Sequence, residues 1–313
     1  MESIPKNPMF EYRDDTMKFV REQYNLTTPA RINEAIDILE EWIKKQSHFG
    51  KTDFSREYLE RAIIICKGST EKAKKKLDKT CTFRTLMPAF FELHDPRYLV
   101  KDYNDIVIDG FLPKLTKDHY RVYVLRNIGK RFESSFSNYY KFTIMLCEYL
   151  QRYDYCNGVL VLFDYQEANI LELLKNISIM ELRQALTIVV EGYSFRIRGL
   201  HFLTPSKTIE TFINLVVKQV LNEKLVNRIH VHKDIASLTK HIPLDILPTE
   251  YGGKEKSMEK IHNELLDELC NKDFMDYLQE MSAAKTDESK RQTEKFYEQY
   301  LGMPGSFRTL SVD

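Results

Sequence analysis

Five consecutive apolar residues at positions 159–163, which read Val-Leu-Val-Leu-Phe, constrain the fold of this chain more than any other segment. A strand with one exposed face alternates apolar and polar residues, whereas a strand that is apolar throughout has both faces buried. Such strands are typical of a parallel sheet covered by helices. Further β-like runs lie at 122–125, 195–197, 200–203 and 229–232. Helical patterns separate these runs, so the sequence predicts an α/β fold with a mostly parallel sheet.

The segments on either side of this region have helical patterns. Residues 29–45 carry apolar side chains at helical spacing. Asp53 and Ser55 are suitable caps for a helix at 56–66, and residues 71–86 are predicted to form a third helix with a basic start. Residues 88–112 are expected to form a connecting region, and residues 257–281 an acidic helix. We therefore divide the chain into a helical N-terminal domain at 1–95, an α/β domain at 96–254, and a C-terminal helix with a polar tail at 255–313.

The charges of the chain balance overall but are unevenly distributed. The 313 residues include 46 Lys and Arg and 46 Asp and Glu, a net charge of zero. A neutral chain argues against nucleic-acid binding, which depends on a broad positive field. Residues 192–233 nevertheless hold seven basic and two acidic side chains, whereas residues 255–299 hold seven basic and twelve acidic ones. A local basic patch suits a membrane surface or an anionic lipid headgroup.

The sequence shows neither a secretory start nor a membrane span. The first 15 residues are polar and charged, and the longest apolar runs are far shorter than the roughly 20 residues that cross a bilayer. The five cysteines are widely spaced without a C-x-x-C pair, which is typical of reduced thiols in the cytosol. We therefore expect a cytoplasmic protein that associates peripherally with membranes.

Two pairs of basic residues flank a long apolar segment. Arg196 and Arg198 lie two apart in a β-like run, and Lys224 and Arg228 lie four apart in a helical run, so each pair shares a face. Like charges at helical spacing repel by roughly 0.2–0.5 kcal/mol unless an anion lies between them. The segment at 206–221 is apolar beyond one helical face, so it is either a core helix or one that moves between a pocket and a membrane. This combination indicates lipid handling.

The order and spacing of these motifs resemble the CRAL-TRIO, or Sec14-like, lipid-binding family, particularly its tocopherol and retinaldehyde carriers and its insect-type members. The matching residues are Asn157-Gly158 before the apolar strand, Glu191-Gly192-Tyr193, Arg196-Ile197-Arg198-Gly199-Leu200-His201, the Pro205-led helix, Glu223-Lys224, Arg228-Ile229-His230-Val231-His232 and Leu247-Pro248-Thr249-Glu250-Tyr251-Gly252-Gly253. The resemblance implies that residues 96–254 form a CRAL-TRIO lipid-binding domain with a gate helix at 206–221. It also implies a cytosolic carrier of a small hydrophobic lipid, which is a tocopherol, retinoid, carotenoid or other terpenoid. Exchange would take place at phosphoinositide-containing membranes.

The resemblance further implies two sets of site residues. The lipid pocket would be formed by Tyr140, Thr143, Cys147, Val159, Phe163, Ile188, Val189, Tyr193, Phe195, Leu200, Phe212 and Val216. The phosphoinositide site would be formed by Arg61, Arg196, Arg198, Lys224 and Arg228. The helical front departs from the family, because Ile64, Ile65 and Cys66 occupy positions where further arginines are expected.

Other functions have less support in the sequence. No G-x-S-x-G elbow or glycine-rich phosphate loop is present, so we expect no catalytic residues and no enzyme activity. His230 and His232 share a strand face and could form a metal pair, but the spacing shows no third ligand, so no metal or other cofactor is expected.

Two alternatives within the same fold remain open. One is a Sec14-like phospholipid transfer protein, and the other is a scaffold or interaction protein whose pocket is vestigial. The expected partners are a small hydrophobic lipid and, reversibly, a phosphoinositide membrane surface. We expect no nucleic-acid partner and a monomeric chain.

Overall fold

A five-stranded sheet occupies the middle of the chain in the computed structural model, which describes residues 4–129 and 135–291. The strands are β1 (Val107–Phe111), β2 (Tyr120–Asn127), β3 (Gly158–Asp164), β4 (Ile197–Leu203) and β5 (Ile229–His232). They lie side by side in chain order, with β1 antiparallel to β2 and all other neighbours parallel. The predicted α/β class with a mostly parallel sheet is confirmed.

Helices precede, connect and follow the strands. They are α1 (Thr16–Glu22), α2 (Pro29–Lys44), α3 (Arg56–Ile65), α4 (Thr70–Leu86), α5 (Pro96–Val100), α6 (Ser137–Tyr153), α7 (Ile170–Asn176), α8 (Ile179–Thr187), α9 (Thr208–Phe212), α10 (Lys218–Val220), α11 (Glu223–Val226), α12 (Ile235–Leu238), α13 (Met258–Leu269) and α14 (Lys272–Met281). Two π-helical segments, Ile188–Gly192 and Ile213–Val217, follow α8 and α9. We call the continuous helix at 208–220 the gate helix. Within the described parts of the chain, no helix is long and apolar enough to cross a membrane.

The order of the strands determines where a pocket can form. Each crossover, through α6, through α7 and α8, and through the gate helix, leads to the next strand in the same direction. Crossovers of one hand that advance in one direction place their helices on one face of the sheet. The opposite face packs Val122, Leu160 and Leu162 against α12, α13 and the loop between them. The strand predicted at 159–163 is therefore buried on both faces, as expected.

The loop that follows α12 is fixed to the end of β3. The hydroxyl of Tyr251 donates to Asp164 Oδ2 at 2.9 Å, and the carboxylate also accepts from the backbone N–H of Gln166 at 3.1 Å. A Cβ atom on Gly253 would overlap the carbonyl oxygen of Leu247, so only glycine fits at this position. This loop therefore closes the sheet face away from the gate helix.

Side-chain caps determine where the front helices begin. Thr28 accepts a hydrogen bond from the N–H of Arg31 at 3.3 Å, and Pro29 occupies the first turn of α2. Ser55 accepts from the N–H of Tyr58 at 3.2 Å at the start of α3. The predicted helices at 29–45, 56–66 and 71–86 are confirmed to within one residue at each end.

Three segments differ from the prediction. The acidic helix predicted at 257–281 is two helices, because Asn271 caps a new helix by accepting from the N–H of Asp273 at 2.9 Å. The connecting region predicted at 88–112 contains strand β1, whose Asp109-Gly110 pair has the composition of a turn but pairs in register with β2. The runs predicted at 195–197 and 200–203 form one strand, Ile197–Leu203, and residues 195 and 196 lie outside it.

The first part of the predicted polar tail returns to the front helices. The N–H of Gly50 donates to the carbonyl of Lys285 at 2.8 Å, and the N–H of Asp287 donates to the carbonyl of His48 at 2.7 Å. Arg291 forms an ion pair with Asp78 at 2.8 Å. The rest of the tail lies outside the described residues, and the domain boundaries near residues 95 and 254 stay predictions.

Candidate functional site

An apolar cavity of about 270 Å³ lies between the sheet and the helices on its gate face. Its floor includes Val161 and Phe202, which belong to β3 and β4. Helix α6 contributes Leu146 to one wall, and the gate helix contributes Phe212 and Val217. Almost all of the lining side chains are apolar, so the cavity is suited to an apolar molecule that must be kept away from water.

The gate helix that closes this cavity is irregular at its centre. Its π-helical turn, Ile213–Val217, separates the α-helical turns before and after it. Such turns are rare and occur frequently at functional sites. The ring of Phe212 lies 6.0 Å from the ring of Tyr165 and 6.3 Å from that of Phe202, whereas Leu215 points outward and is 52% exposed. The helix therefore presents apolar side chains both to the cavity and to the surface.

Exposed apolar side chains continue around the gate helix. Leu171 on α7 is 57% exposed and Met180 on α8 is 49% exposed, which are high values for such side chains. Helix α7 packs against α9, and α8 packs against α10, so these residues and Leu215 lie on neighbouring helices. Exposed apolar groups on one surface are typical of protein or membrane contacts.

Three arginines meet where β4 begins, and we call Arg196, Arg198 and Arg228 the basic cluster. The Arg198 Nη2 atom donates to the hydroxyl of Tyr120 at 2.6 Å, and Arg228 donates to the carbonyl of Ile197. The salt bridges found among the described residues do not include these three arginines, although all three are partly buried. An anion could supply the missing charge compensation.

Arg196 is the least satisfied member of the basic cluster. Its guanidinium carbon lies 4.7 Å from the centre of the Tyr24 ring, and its Nη2 atom is buried without a hydrogen-bond acceptor among the described residues. Burial, and then the charge of Arg198, lowers the pKa of Arg196 to about 10. Both effects disfavour an unpaired cation, so a bound anion would stabilise this side chain.

Comparisons with known proteins identify the domain that holds these features. A family model described as CRAL/TRIO domain matches residues 110–253, which include the sheet, the gate helix and the basic cluster. The chain carries a CRAL-TRIO domain. The match confirms the predicted resemblance to the CRAL-TRIO family for this domain. A second model, described as Pinta-like, UBA domain, matches residues 28–98 of the helical front.

Individual relatives match a smaller part of the chain. The proteins named alpha-tocopherol transfer protein-like from Mus musculus and Homo sapiens are each 31% identical to it over 98 residues. This match covers 31% of this chain and 28% of each relative. The crystal structure of Sfh5 overlaps with 81% of this chain and 93% of its own, at 14% identity and a TM-score of 0.45.

Most residues predicted for the lipid pocket line the cavity of the CRAL-TRIO domain. These residues are Tyr140, Thr143, Cys147, Val159, Phe163, Val189, Phe195, Leu200 and Phe212. The remaining predicted residues, Ile188, Tyr193 and Val216, are buried outside the lining. Each of these three lies within or next to a π-helical segment, where the extra residue per turn changes which side chains face the cavity.

Tyr193 illustrates this displacement. Its hydroxyl donates to Glu148, which also accepts from Arg84 and, at 3.0 Å, from the hydroxyl of Tyr277. Glu148 therefore joins α4, α6 and α14 through buried hydrogen bonds. Tyr193 therefore takes part in packing the helical front against the CRAL-TRIO domain.

The five residues predicted for the headgroup site do not all lie together in the structure. Arg61 is 5% exposed and donates to the carbonyl of Gln151 at 2.8 Å and to the hydroxyl of Tyr155 at 3.4 Å. It is therefore satisfied in the interior and is separate from the basic cluster. Lys224 is exposed on the single turn α11, one turn before Arg228.

Polar side chains that were not predicted occupy the cavity wall at the β1–β2 edge of the sheet. Tyr123 and Tyr139 line the cavity, and both donate a hydroxyl to Asp109 Oδ2, Tyr139 at 2.7 Å. Asp109 is fully buried, and its Oδ1 atom lies 3.0 Å from Nδ1 of His262. Burial lowers the pKa of His262, but the hydrogen bond and charge of Asp109 outweigh it and raise the pKa above its usual value. The carboxyl group of Asp109 therefore lies directly behind the two phenols.

A third polar group lies on the same edge. Asn127 lines the cavity and is 2% exposed, and its Oδ1 atom has no hydrogen-bond partner among the described residues. A buried amide oxygen without a partner costs free energy, about 1–3 kcal/mol in protein mutants. This position therefore favours an occupant that can donate a hydrogen bond.

The predicted histidine pair belongs to a cluster of four on the sheet face opposite the cavity. His201 Nδ1 and His232 Nε2 lie 2.9 Å apart, and the ring centres of His230 and His241 lie 4.9 and 5.1 Å from that of His201. The N–N contact is a hydrogen bond that needs at least one neutral ring. The described residues contain no group of three or more side chains arranged to hold a metal ion.

This histidine cluster is expected to make the protein less stable in acid. Burial, and then the neighbouring imidazoles, lowers the pKa of His201 to about 3 and that of His232 to about 4. The unfolded chain, with histidine pKa values near 6.5, binds more protons as pH falls from about 6.5 to about 4, so folding stability falls over that window. The melting temperature should therefore decrease between pH 7 and pH 5.

The matched variants for this prediction are His201→Asn and His94→Asn. His201→Asn should reduce the dependence of the melting temperature on pH, because it removes one proton acceptor of the unfolded state. His94 lies in the front part of the chain, away from the cluster, and its replacement should leave the dependence close to that of the parent protein. Equal pH dependence in all three proteins would contradict the assignment.

Proposed function

We propose that the chain is a carrier that binds a small hydrophobic lipid in its cavity and exchanges it at phosphoinositide-containing membranes. The observation that carries this proposal is the apolar cavity beneath an irregular gate helix. Burial stabilises a ligand by about 25 cal/mol per Å² of apolar surface, so a lipid of a few hundred Å² can be held firmly. The relatives are named alpha-tocopherol transfer protein-like, which supports a tocopherol as cargo. A retinoid, carotenoid or other terpenoid is proposed alongside it because the cavity is apolar.

Release of such a ligand requires the gate helix to move. A membrane can drive this movement only if it binds the open state more tightly than the closed one. The exposed side chains of Leu171, Met180 and Leu215 provide an apolar surface that a bilayer can accept next to the gate helix. The π-helical turn at Ile213–Val217 gives the helix a place to bend without loss of its ends.

The basic cluster supports recognition of an anionic headgroup. The charge of Arg198 acts on Arg196, and Arg228 donates to the carbonyl of Ile197, the residue between them in the sequence. Guanidinium groups pair with phosphate through charge-assisted hydrogen bonds. The gate helix ends at Val220 and the chain continues through α11 directly to Arg228. A headgroup bound at Arg228 would therefore be held near the C-terminal end of the gate helix in the sequence. We assign Lys224 to the rim of this site and leave Arg61 out of it.

The cargo can be identified by native mass spectrometry of the purified full chain, followed by organic extraction of what it releases. A terpenoid or vitamin-like lipid would support the proposal. A phospholipid would favour the Sec14-like alternative. Failure to bind any lipid, whether retained from the host or added afterwards, would favour a scaffold with a vestigial pocket.

Replacing two members of the basic cluster should weaken membrane binding. Arg196→Ala with Arg228→Ala is expected to lower affinity for vesicles containing a phosphatidylinositol bisphosphate about thirtyfold, since each basic residue near an anionic surface contributes about 1 kcal/mol. Co-sedimentation with vesicles measures this directly. Replacement of the exposed Arg56 and Lys45 of the front should have little effect. Unchanged binding of the double variant, or equal loss in the control, would contradict the assignment.

A further inference from the structure

The polar wall at the β1–β2 edge restricts the chemistry of the ligand. We propose that Asn127, Tyr123 and Tyr139 select an apolar molecule that ends in a hydroxyl group, and that Asp109 behind them excludes the corresponding carboxylic acid. This inference rests on the proposed function of the cavity, because it assigns the polar end of the same ligand. Elsewhere the lining is apolar except for the hydroxyls of Tyr140, Thr143 and Tyr165, so this wall is where a ligand hydroxyl would find an amide and two phenols together.

The hydrogen bonds of the two phenols determine what they can offer. Both hydroxyl protons point to Asp109 Oδ2, and the two hydroxyl oxygens lie 3.1 Å apart. Burial, and then the charge of Asp109, raises the pKa of Tyr123 and of Tyr139 well above the usual value, so both stay protonated. With their protons engaged, the phenols present lone pairs to the cavity. They accept hydrogen bonds from a ligand rather than donate them.

Asn127 provides an independent observation. Its Oδ1 atom is an acceptor without a partner among the described residues, and the side chain is 2% exposed while lining the cavity. Asn127 and Tyr123 lie four residues apart on β2, so both point to the same face. Their β1 partners in the register are Val107 and Phe111, which also line the cavity. Acceptors on both the amide and the phenols favour a ligand that donates.

The position of Asp109 accounts for the exclusion of acids. It lies opposite Leu125 in the antiparallel pair, between the rows that contain Tyr123 and Asn127. A ligand carboxylate at this wall would face a buried carboxylate with only the phenols between them. Like charges repel strongly where water is excluded. His262, the basic partner of Asp109, lies on α13 and does not line the cavity, so it is not available to a ligand acid.

Binding of three matched probes to the full, delipidated chain tests this inference. The probes are farnesol, its aldehyde and its carboxylic acid, which share one apolar skeleton and differ only in the polar end. We expect the alcohol to bind about tenfold more tightly than the aldehyde, which lacks a donor, and at least about a hundredfold more tightly than the acid. Calorimetric titration at neutral pH measures all three. Equal affinities would overturn the inference and leave the carrier function intact, whereas no binding of any apolar probe would overturn both.

Three variants test which residues determine the preference for the alcohol over the acid. Asn127→Leu should lower affinity for the alcohol about tenfold without improving the acid, because it removes one acceptor and leaves the Asp109 network intact. Asp109→Asn keeps the shape and should raise affinity for the acid at least tenfold relative to the alcohol. Tyr165→Phe is the control, since Tyr165 lines the cavity among Phe163, Phe202 and Phe212, away from Asp109. Loss of alcohol binding in Tyr165→Phe, with none in Asn127→Leu, would place the polar end elsewhere and overturn the inference.

Discussion

Asp154→Ala is expected to lower the free energy of unfolding by about 3–5 kcal/mol, the range found when one partner of a buried ion pair is removed. Arg121 on β2 is fully buried, and Asp154 binds it at two points, with Nε to Oδ2 at 2.9 Å and Nη2 to Oδ1 at 3.0 Å. The same guanidinium donates to the carbonyl of Leu112 at 2.9 Å and lies 4.2 Å from the ring centre of Phe10. Without Asp154 the cation would remain buried among neutral groups.

The matched control is Asp37→Ala. Asp37 pairs with Arg56 at 2.8 Å, a similar distance, but both side chains are largely exposed. Water solvates the exposed charge that is left, so removing this pair should lower the free energy of unfolding by less than about 1 kcal/mol. Urea denaturation of the three proteins measures the difference. Similar losses in both variants would show that burial does not determine the strength of the Arg121 pair.

Elements with a strong local pattern were predictable from the sequence. Each central residue of β3 is apolar, because the strand lies between β2 and β4 and both of its faces are buried. Helix α2 carries its own start signal in Thr28 and Pro29 and its own buried stripe, so its bounds differ from the prediction by one residue. In both cases the pattern that indicates the element lies within a short run of the sequence.

The Asp109 network was not predictable, because its partners lie far apart in the sequence. Asp109 hydrogen-bonds to residues 14, 30 and 153 positions away, which are Tyr123, Tyr139 and His262. Read locally, an aspartate followed by a glycine indicates a turn. One available signal was the alternation of Tyr123, Leu125 and Asn127, which places polar groups at both ends of a cavity-facing row of β2.

Arg61 shows the limit of transferring a position from a family. Its residue type matches the family pattern, yet it is buried against Gln151 in α6 and Tyr155 beyond the end of that helix, which accept its hydrogen bonds. Spacing within a helix indicates which residues share a face but not what covers that face. The basic cluster was easier to anticipate, since Arg196 directly precedes one strand and Arg198 is its second residue.

A pair of substitutions on the gate helix should separate ligand retention from membrane docking. Phe212→Asp introduces a charge into the cavity, where Phe212 is 5% exposed, and is expected to lower lipid affinity at least about a hundredfold because a buried unpaired carboxylate is strongly disfavoured. Leu215→Asp places the same charge on the outer face, where Leu215 is 52% exposed. It should leave lipid affinity nearly unchanged.

The outer substitution should instead affect vesicles. Insertion of a leucine side chain into a bilayer contributes about 1.5–3 kcal/mol, so Leu215→Asp is expected to lower vesicle affinity at least about tenfold. Phe212→Asp should therefore reduce lipid binding, which titration measures. Leu215→Asp should reduce vesicle binding, which co-sedimentation measures. If Leu215→Asp docks normally, the outer face is not the membrane contact. If Phe212→Asp retains lipid normally, the gate helix does not close the ligand site.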